Sequence, residues 1–284
     1  MSSIIQFAKK LGLRMQEADT ATHAAALAYN FLFALFPLLL FLAALLGLFH
    51  LPRISQYIQG PLSVVLAPDL RRLILRVISE ASRFKSPTLL SVGAFGFIWA
   101  MSAALHRLTL ALNFAYGITK PTRPWWQNFV LCVGMGLFLG TLLVVSEILA
   151  EWGSDIARWL SLVFAHPAPA PILIEAMRWL VVLLFMWIIL TIIYNWLPEH
   201  HAHFRWFSTG TGVVMCLWVL IIIGFSMYTS GFSYYNQTYG SIGVVILLML
   251  YLYILSFALL LGGEIDALRV QHANSARLTP TAHH

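Results

Sequence analysis

Residues 228–266, YTSGFSYYNQTYGSIGVVILLMLYLYILSFALLLGGEID, decide the fold class. From Ile242 to Gly263 there is no charged side chain, and most of the run is aliphatic. A helix over that run is about 33 Å long at roughly 1.5 Å per residue, enough to cross a hydrocarbon core about 30 Å thick. Two acids stand directly behind it, in Gly262-Gly263-Glu264-Ile265-Asp266. Its entrance sets Tyr235, Asn236 and Tyr239 among Gly231, Gly240 and Gly243. Such a composition fits either a re-entrant, mouth-lining element or an interfacial hairpin.

The rest of the chain has the same character. It is 60% hydrophobic and 10% charged over 284 residues, with a mean hydropathy of +0.81. Soluble domains carry about 25% charge, so this is a polytopic membrane composition with no room for a sizeable soluble catalytic domain. The net charge of +6 suits a protein bordering anionic lipid. Its basic residues are scattered between spans and form no stripe, which argues against nucleic acid as a partner. Cys132 and Cys216 sit in apolar runs and act as small hydrophobes. The sequence has no Walker loop, nucleophile elbow or HExxH, so no catalytic residue, cofactor or metal is expected.

The pattern predicts an all-α fold with six transmembrane helices, at about 25–49, 88–115, 128–149, 172–196, 209–228 and 242–263. Two amphipathic interfacial helices accompany them. Residues 3–18 place Ile4, Phe7, Ala8, Leu11 and Met15 on one face, with Lys9, Lys10 and Arg14 mostly off it. In the first loop, residues 68–84 set Leu70, Leu73, Ile74, Val77 and Ile78 against Arg72, Arg76 and Arg83. Pro37 predicts a kink in the first span, and residues 267–284 read as a flexible tail. Gly136-x-x-x-Gly140 reads as ordinary close helix packing.

Six spans put both termini on one side. Short segments on that side carry Lys9, Lys10, Arg14, Lys120, Arg123, Arg205, Arg269 and Arg277, which makes it the cytoplasmic side. The first loop, with six basic residues of its own, runs against that bias. Trp125, Trp126, Trp152, Trp159, Trp196 and Trp206 fall near span ends, as an aromatic belt requires.

Ionisable and amide side chains within spans are the candidates for function, because each is costly in lipid. They are His106, Arg107 and Asn113 in the second span, Glu147 in the third, Glu175 in the fourth, and Glu264 and Asp266 after the sixth. Each lies within about two turns of a span end, where snorkelling or pairing also accounts for it. Glu264 and Asp266 are expected to pair with Arg269 or Arg107. With Arg72, Arg76, Arg83, Tyr235, Asn236 and Tyr239 they make up the candidate substrate-binding set. The loop Glu199-His200-His201-Ala202-His203 has imidazoles but no second ligand set at a defined spacing, so it reads as a solvated turn.

Several passages together resemble the YihY/BrkB family of bacterial inner-membrane proteins, historically labelled ribonuclease BN. They are Ala25–Gly47 (AALAYNFLFALFPLLLFLAALLG), Arg123-Pro124-Trp125-Trp126, Tyr194-Asn195-Trp196-Leu197-Pro198, and Tyr239-Gly240-Ser241-Ile242-Gly243 through Asp266. The resemblance implies a six-span inner-membrane protein with both ends in the cytoplasm. Members of the family have been linked to serum resistance and envelope lipid export. The nuclease label fails on the residues, since the HxHxDH metal motif breaks after His201-Ala202-His203 at Phe204-Arg205-Trp206. The leading expectation is a transporter or exporter of a lipid or lipid-linked anion, with membrane lipids as partners. An ion- or proton-coupled solute transporter is the second expectation. A scaffold that holds envelope-assembly proteins is the third.

Overall fold

The computed structural model describes residues 2–49, 87–118, 122–142, 145, 171–199, 204–230 and 235–278. The expected first-loop helix with Arg72, Arg76 and Arg83 lies outside these residues, as do Glu147 and His200–His203. The described residues form seven helices and no strand: α1 (Ser2–Glu17), α2 (Thr20–Phe49), α3 (Pro87–Ala115), α4 (Trp125–Leu142), α5 (Pro171–Trp196), α6 (Thr209–Ser230) and α7 (Tyr235–Leu278). Six of them, α2 to α7, contain stretches long and apolar enough to cross a membrane.

Helix ends follow local chemistry. Between α1 and α2 the chain turns at Asp19, which takes a φ of 45° and whose carbonyl accepts the His23 N–H at 3.1 Å. Aspartate tolerates that left-handed conformation better than most side chains. The C-terminal end of α3 is a Schellman turn around Gly117, φ 77°. There the Ile118 N–H reaches the Asn113 carbonyl at 2.8 Å and the Gly117 N–H reaches Phe114 at 2.9 Å.

α2 and α3 form the most extensive helix pair. A Cβ on Gly93 would stand 2.8 Å from the Phe41 nitrogen, and one on Gly96 would stand 3.2 Å from the Pro37 Cβ. The small residues of α3 therefore receive the proline segment of α2, which runs through Pro37 as one helix. In the Gly136/Gly140 pair only Gly136 is closely covered, by the Met101 side chain of α3.

α7 departs from expectation at both ends. The Tyr235/Asn236/Tyr239 entrance is not unwound; it forms the first turns of the helix. Nor does the helix stop at Gly262-Gly263, and what was expected to be a flexible tail from 267 is helical as far as Leu278. Glycine inside a helix costs about 1 kcal/mol relative to alanine. Here the missing side chains make room for neighbours. A Cβ on Gly262 would collide with Val214 of α6 and lie 2.6 Å from the Tyr194 hydroxyl of α5. One on Gly263 would lie 2.6 Å from Leu112 of α3.

Burial is concentrated at one end of the bundle. The core joins Ala24 and Leu27 of α2, Leu108 and Leu112 of α3, Cys132 of α4, Leu190 and Tyr194 of α5, Val214 of α6, and Leu259 and Leu260 of α7. Toward the other end large side chains such as Phe95, Leu220, Ile223 and Ile246 are exposed, as lipid-facing positions are. Gly262→Ala is expected to destabilise the protein by about 1–3 kcal/mol through overpacking. Gly224→Ala, with nothing within 4 Å of the added carbon, is expected to be neutral or slightly stabilising. Thermal melts of the two variants in the same detergent check both.

Candidate functional site

The tightly packed end is where α1, the C-terminal ends of α3 and α5, the part of α7 around residues 259–266, and the N-terminal ends of α2, α4 and α6 meet. Helix ends carry carbonyls and N–H groups with no partner inside the helix, together with partial charges of opposite sign. The charged side chains at this end are placed on them.

Arg14 of α1 donates from Nη2 to the Ala115 carbonyl at 2.9 Å, capping the C-terminal end of α3. Its Nε lies 3.8 Å from Oε2 of Glu264 on α7, and both side chains are largely buried. Arg123 does the equivalent for α5, donating from Nη1 to the Leu197 carbonyl at 3.0 Å. Asp266 takes the opposite role at the start of α6. Its Oδ1 accepts the Gly210 N–H at 3.0 Å, and its Oδ2 accepts the Ser208 hydroxyl. Ser208 is itself the N-cap of α6, accepting the Thr211 N–H at 3.3 Å. A Cβ on Gly210 would run into the Gly262 carbonyl, so the start of α6 lies directly against α7.

Two connections are tied together above these caps. Oε2 of Glu199 accepts the Thr122 N–H at 2.6 Å, the Thr122 hydroxyl at 2.9 Å and the Arg123 N–H at 3.2 Å, just before α4. The Glu199 N–H in turn donates to Oδ1 of buried Asn113 at 2.9 Å. Asn195 and Arg205 exchange two bonds, with the Asn195 amide reaching the Arg205 carbonyl and the Arg205 N–H reaching Oδ1 of Asn195. The Tyr194 hydroxyl donates to the Leu259 carbonyl at 2.6 Å, fixing α5 to α7. Tyr116, just past α3, sits among these charges. Burial first, then Asp266 and Glu264, push its phenol well up against the opposing pull of Arg205.

This geometry corrects the expected pairing of the acids. Among the described residues Glu264 is paired with Arg14, not with Arg107 or Arg269, while Asp266 caps a helix and also feels the charges of Arg205 and Arg269. Arg14 was expected off the membrane face of α1; it turns inward because a helix terminus and a buried carboxylate lie beneath it. Glu175 does not join the cluster. It lies on the first turns of α5, about 30 Å along the axis from Asn195 at roughly 1.5 Å per residue. Tyr235, Asn236 and Tyr239 are likewise about 40 Å along α7 from the acids, so the two sets do not share a site. Asn113 does belong to the polar end. His106 and Arg107 lie elsewhere, exposed on the flank of α3, where His106 Nδ1 meets Nδ2 of Asn128 on α4. The described residues contain no group of three or more His, Cys, Asp or Glu side chains fit to hold a metal.

Several residues escaped the sequence reading: Arg14 as a cap, Thr122, Glu199 and Ser208 in this network, and Asn128 on the flank of α3. Ser208-Thr209-Gly210 ahead of an apolar run is an N-cap signal and was open to detection. The Arg14, Glu199 and Asn128 pairings join residues 22 or more positions apart and have no local signature.

Residues 12–283 match the family described as Virulence factor BrkB. The chain belongs to this family. It is similar to YfkH of Bacillus subtilis, whose name calls it ribonuclease-like, at 28% identity across 93% of this chain and 95% of that protein. It is also similar to the UPF0761 membrane protein Smlt0865 of Stenotrophomonas maltophilia, at 25% identity across 93% of this chain. The Xanthomonas axonopodis UPF0761 membrane protein XAC0937 is 22% identical across 92% of the chain. The chain spans 60% of the length of each of these two UPF0761 proteins. No solved structure matches the chain at a significant level.

Two predictions follow from the network. Arg14→Gln leaves Glu264 buried without its cation, a change of about 3 kcal/mol in stability, and adding Glu264→Gln is expected to recover part of it. A double-mutant cycle of melting curves measures this. For Glu199, burial opposes the charged form, but the bonds from Thr122 and Arg123 outweigh it and hold the carboxyl below its usual 4.5. A depressed folded value means stability that is complete above the unfolded value and lost as pH falls through the folded one. The melting temperature of the wild type should therefore fall more steeply below about pH 4.5 than that of Glu199→Gln.

Proposed function

We propose that this BrkB-family membrane protein is a non-enzymatic transporter or exporter of a lipid or lipid-linked anionic envelope substrate. We place it in the bacterial inner membrane with both termini in the cytoplasm. The observation that carries the reading is the segregation of charge. Glu264, Asp266 and Glu199 are each engaged by a cation or by helix-terminal donors. Arg107 and His106, by contrast, are exposed on the side of the bundle. Acids held in structural pairs are poor candidates for cation or proton coupling. A cationic donor on a lateral face, with an imidazole beside it, is suited to an anionic substrate that arrives through the lipid. The arginine face of Arg72, Arg76 and Arg83 supports the same reading from the sequence.

The nuclease name of the Bacillus relative adds nothing here, because the spacing that chemistry needs is interrupted at Phe204-Arg205-Trp206. The short basic segments at the termini support the cytoplasmic placement.

The test uses proteoliposomes carrying NBD-labelled phosphatidylglycerol, with dithionite reading how fast the label changes leaflet. Protein-dependent exchange that is slowed several-fold by Arg72→Gln/Arg76→Gln/Arg83→Gln supports the proposal. No exchange, together with a solute flux that requires a pH gradient and is lost on Glu264→Gln, overturns it in favour of ion coupling.

A further inference from the structure

The flank of α3 and α4 carries a constellation that the helix-end network does not use. Asn128 sits at the start of α4 with its Nδ2 against Nδ1 of His106. When that amide donates to Nδ1, the hydrogen of the neutral imidazole resides on Nε2, which faces away from Asn128. Arg107 follows directly, and its side chain is exposed. It lies eight residues before Ala115, about 12 Å along the axis from the end of α3 and within the span. No carboxylate pairs with it among the described residues. A guanidinium keeps its charge under all ordinary conditions. One placed laterally in a span is costly unless it reaches an anion at headgroup depth.

What lies along the bilayer from this point decides between a lipid and a soluble anion. Phe95, Trp99 and His106 share one stripe of α3, since positions seven and eleven residues apart return to within about 20° of the same direction. Phe95 is 71% exposed and Trp99 is 62% exposed, and their rings stack at 6.3 Å. Trp99 also meets Phe129 of α4, the neighbour of Asn128, at 6.2 Å. An aromatic rail therefore runs about 10–16 Å from His106 and Arg107 toward the apolar region, the depth an acyl chain occupies. Trp125 and Trp126, both exposed at the start of α4, mark the headgroup level.

We propose that His106 and Arg107 seat the phosphate of an anionic phospholipid, with an acyl chain along Phe95, Trp99 and Phe129. The seat rests on the lateral, lipid-facing reading above and gives it a recognition site. His106 and Arg107 donate to the phosphate, while Asn128 positions the imidazole.

Native mass spectrometry of the full chain in a neutral detergent, titrated with palmitoyl-oleoyl phosphatidylglycerol or the matching phosphatidylcholine, tests it. The wild type should prefer phosphatidylglycerol, and Arg107→Gln should weaken that binding about tenfold, the scale of one charge-assisted hydrogen bond. Arg107→Lys, which keeps the charge, should retain a larger share and shows that the fold survives at this position. Trp99→Ala should weaken the long-chain lipid but not dihexanoyl phosphatidylglycerol. Binding by Arg107→Gln equal to wild type, in a protein that melts normally, overturns the seat. Displacement of the lipid by millimolar inorganic phosphate, with Trp99→Ala unaffected, overturns the lipid assignment in favour of a free-anion site. Arg107-dependent binding without any leaflet exchange would leave the seat standing and sink the transport reading. Leaflet exchange with binding unchanged in Arg107→Gln would do the reverse.

Discussion

The described bundle depends on how its helix termini are satisfied at one end. Backbone groups left over at helix ends have no water to turn to where side chains pack tightly, and each unsatisfied one costs on the order of 1–3 kcal/mol. Here cations sit on carbonyl ends and acids on N–H ends: Arg14 on α3, Arg123 on α5, Asp266 on α6, Glu199 ahead of α4. Both signs therefore match the helix dipoles they face. Apolar burial alone would not select this arrangement, because lipid tails solvate leucine as well as a neighbouring helix does. The polar caps fix the register, and the closely packed residues around Gly210, Gly262 and Gly263 follow from it.

That arrangement changes what the intramembrane acids signify. A carboxylate after an apolar span is by default a functional candidate, and Glu264 and Asp266 looked alike on that basis. The structure separates them: Asp266 is the anion of a helix N-terminus, and Glu264 is the counter-charge of an arginine from α1. Both roles are architectural. Arg107, with the imidazole of His106 beside it, lies within a span and outside the network, and the helix-end packing does not account for its exposure.

The membrane class and the positions of the spans were legible because hydrophobic length is a property of contiguous sequence. The second, fourth and fifth expected spans coincide with α3, α5 and α6 to within a residue or two, and helix ends are uncertain by that much anyway. Of the six tryptophans expected near span ends, Trp152 and Trp159 lie outside the described residues, and Trp125, Trp126, Trp196 and Trp206 are exposed at the tightly packed end. The partners of the polar residues were not legible. Arg14 reaches Ala115 across 101 positions and Glu264 across the length of the chain, and no periodicity encodes such a meeting. Gly262-Gly263 misled in a different way. Propensity reads two glycines as a helix stop, whereas tertiary packing uses them as a contact surface and carries the helix through.

That continuity has a geometric consequence. α7 is 44 residues long, about 66 Å, roughly twice the thickness of the hydrocarbon it crosses. The part beyond Gly263 extends up to about 22 Å further along the axis, as far as Leu278. It is anchored at its root by Glu264 and Asp266. An unbroken helix has no swivel, so this projecting segment behaves as a post of fixed length and heading. The far end of that post therefore stands at a distance from Glu264 and Asp266 that the helix length sets, apart from the gentle curvature of a long helix.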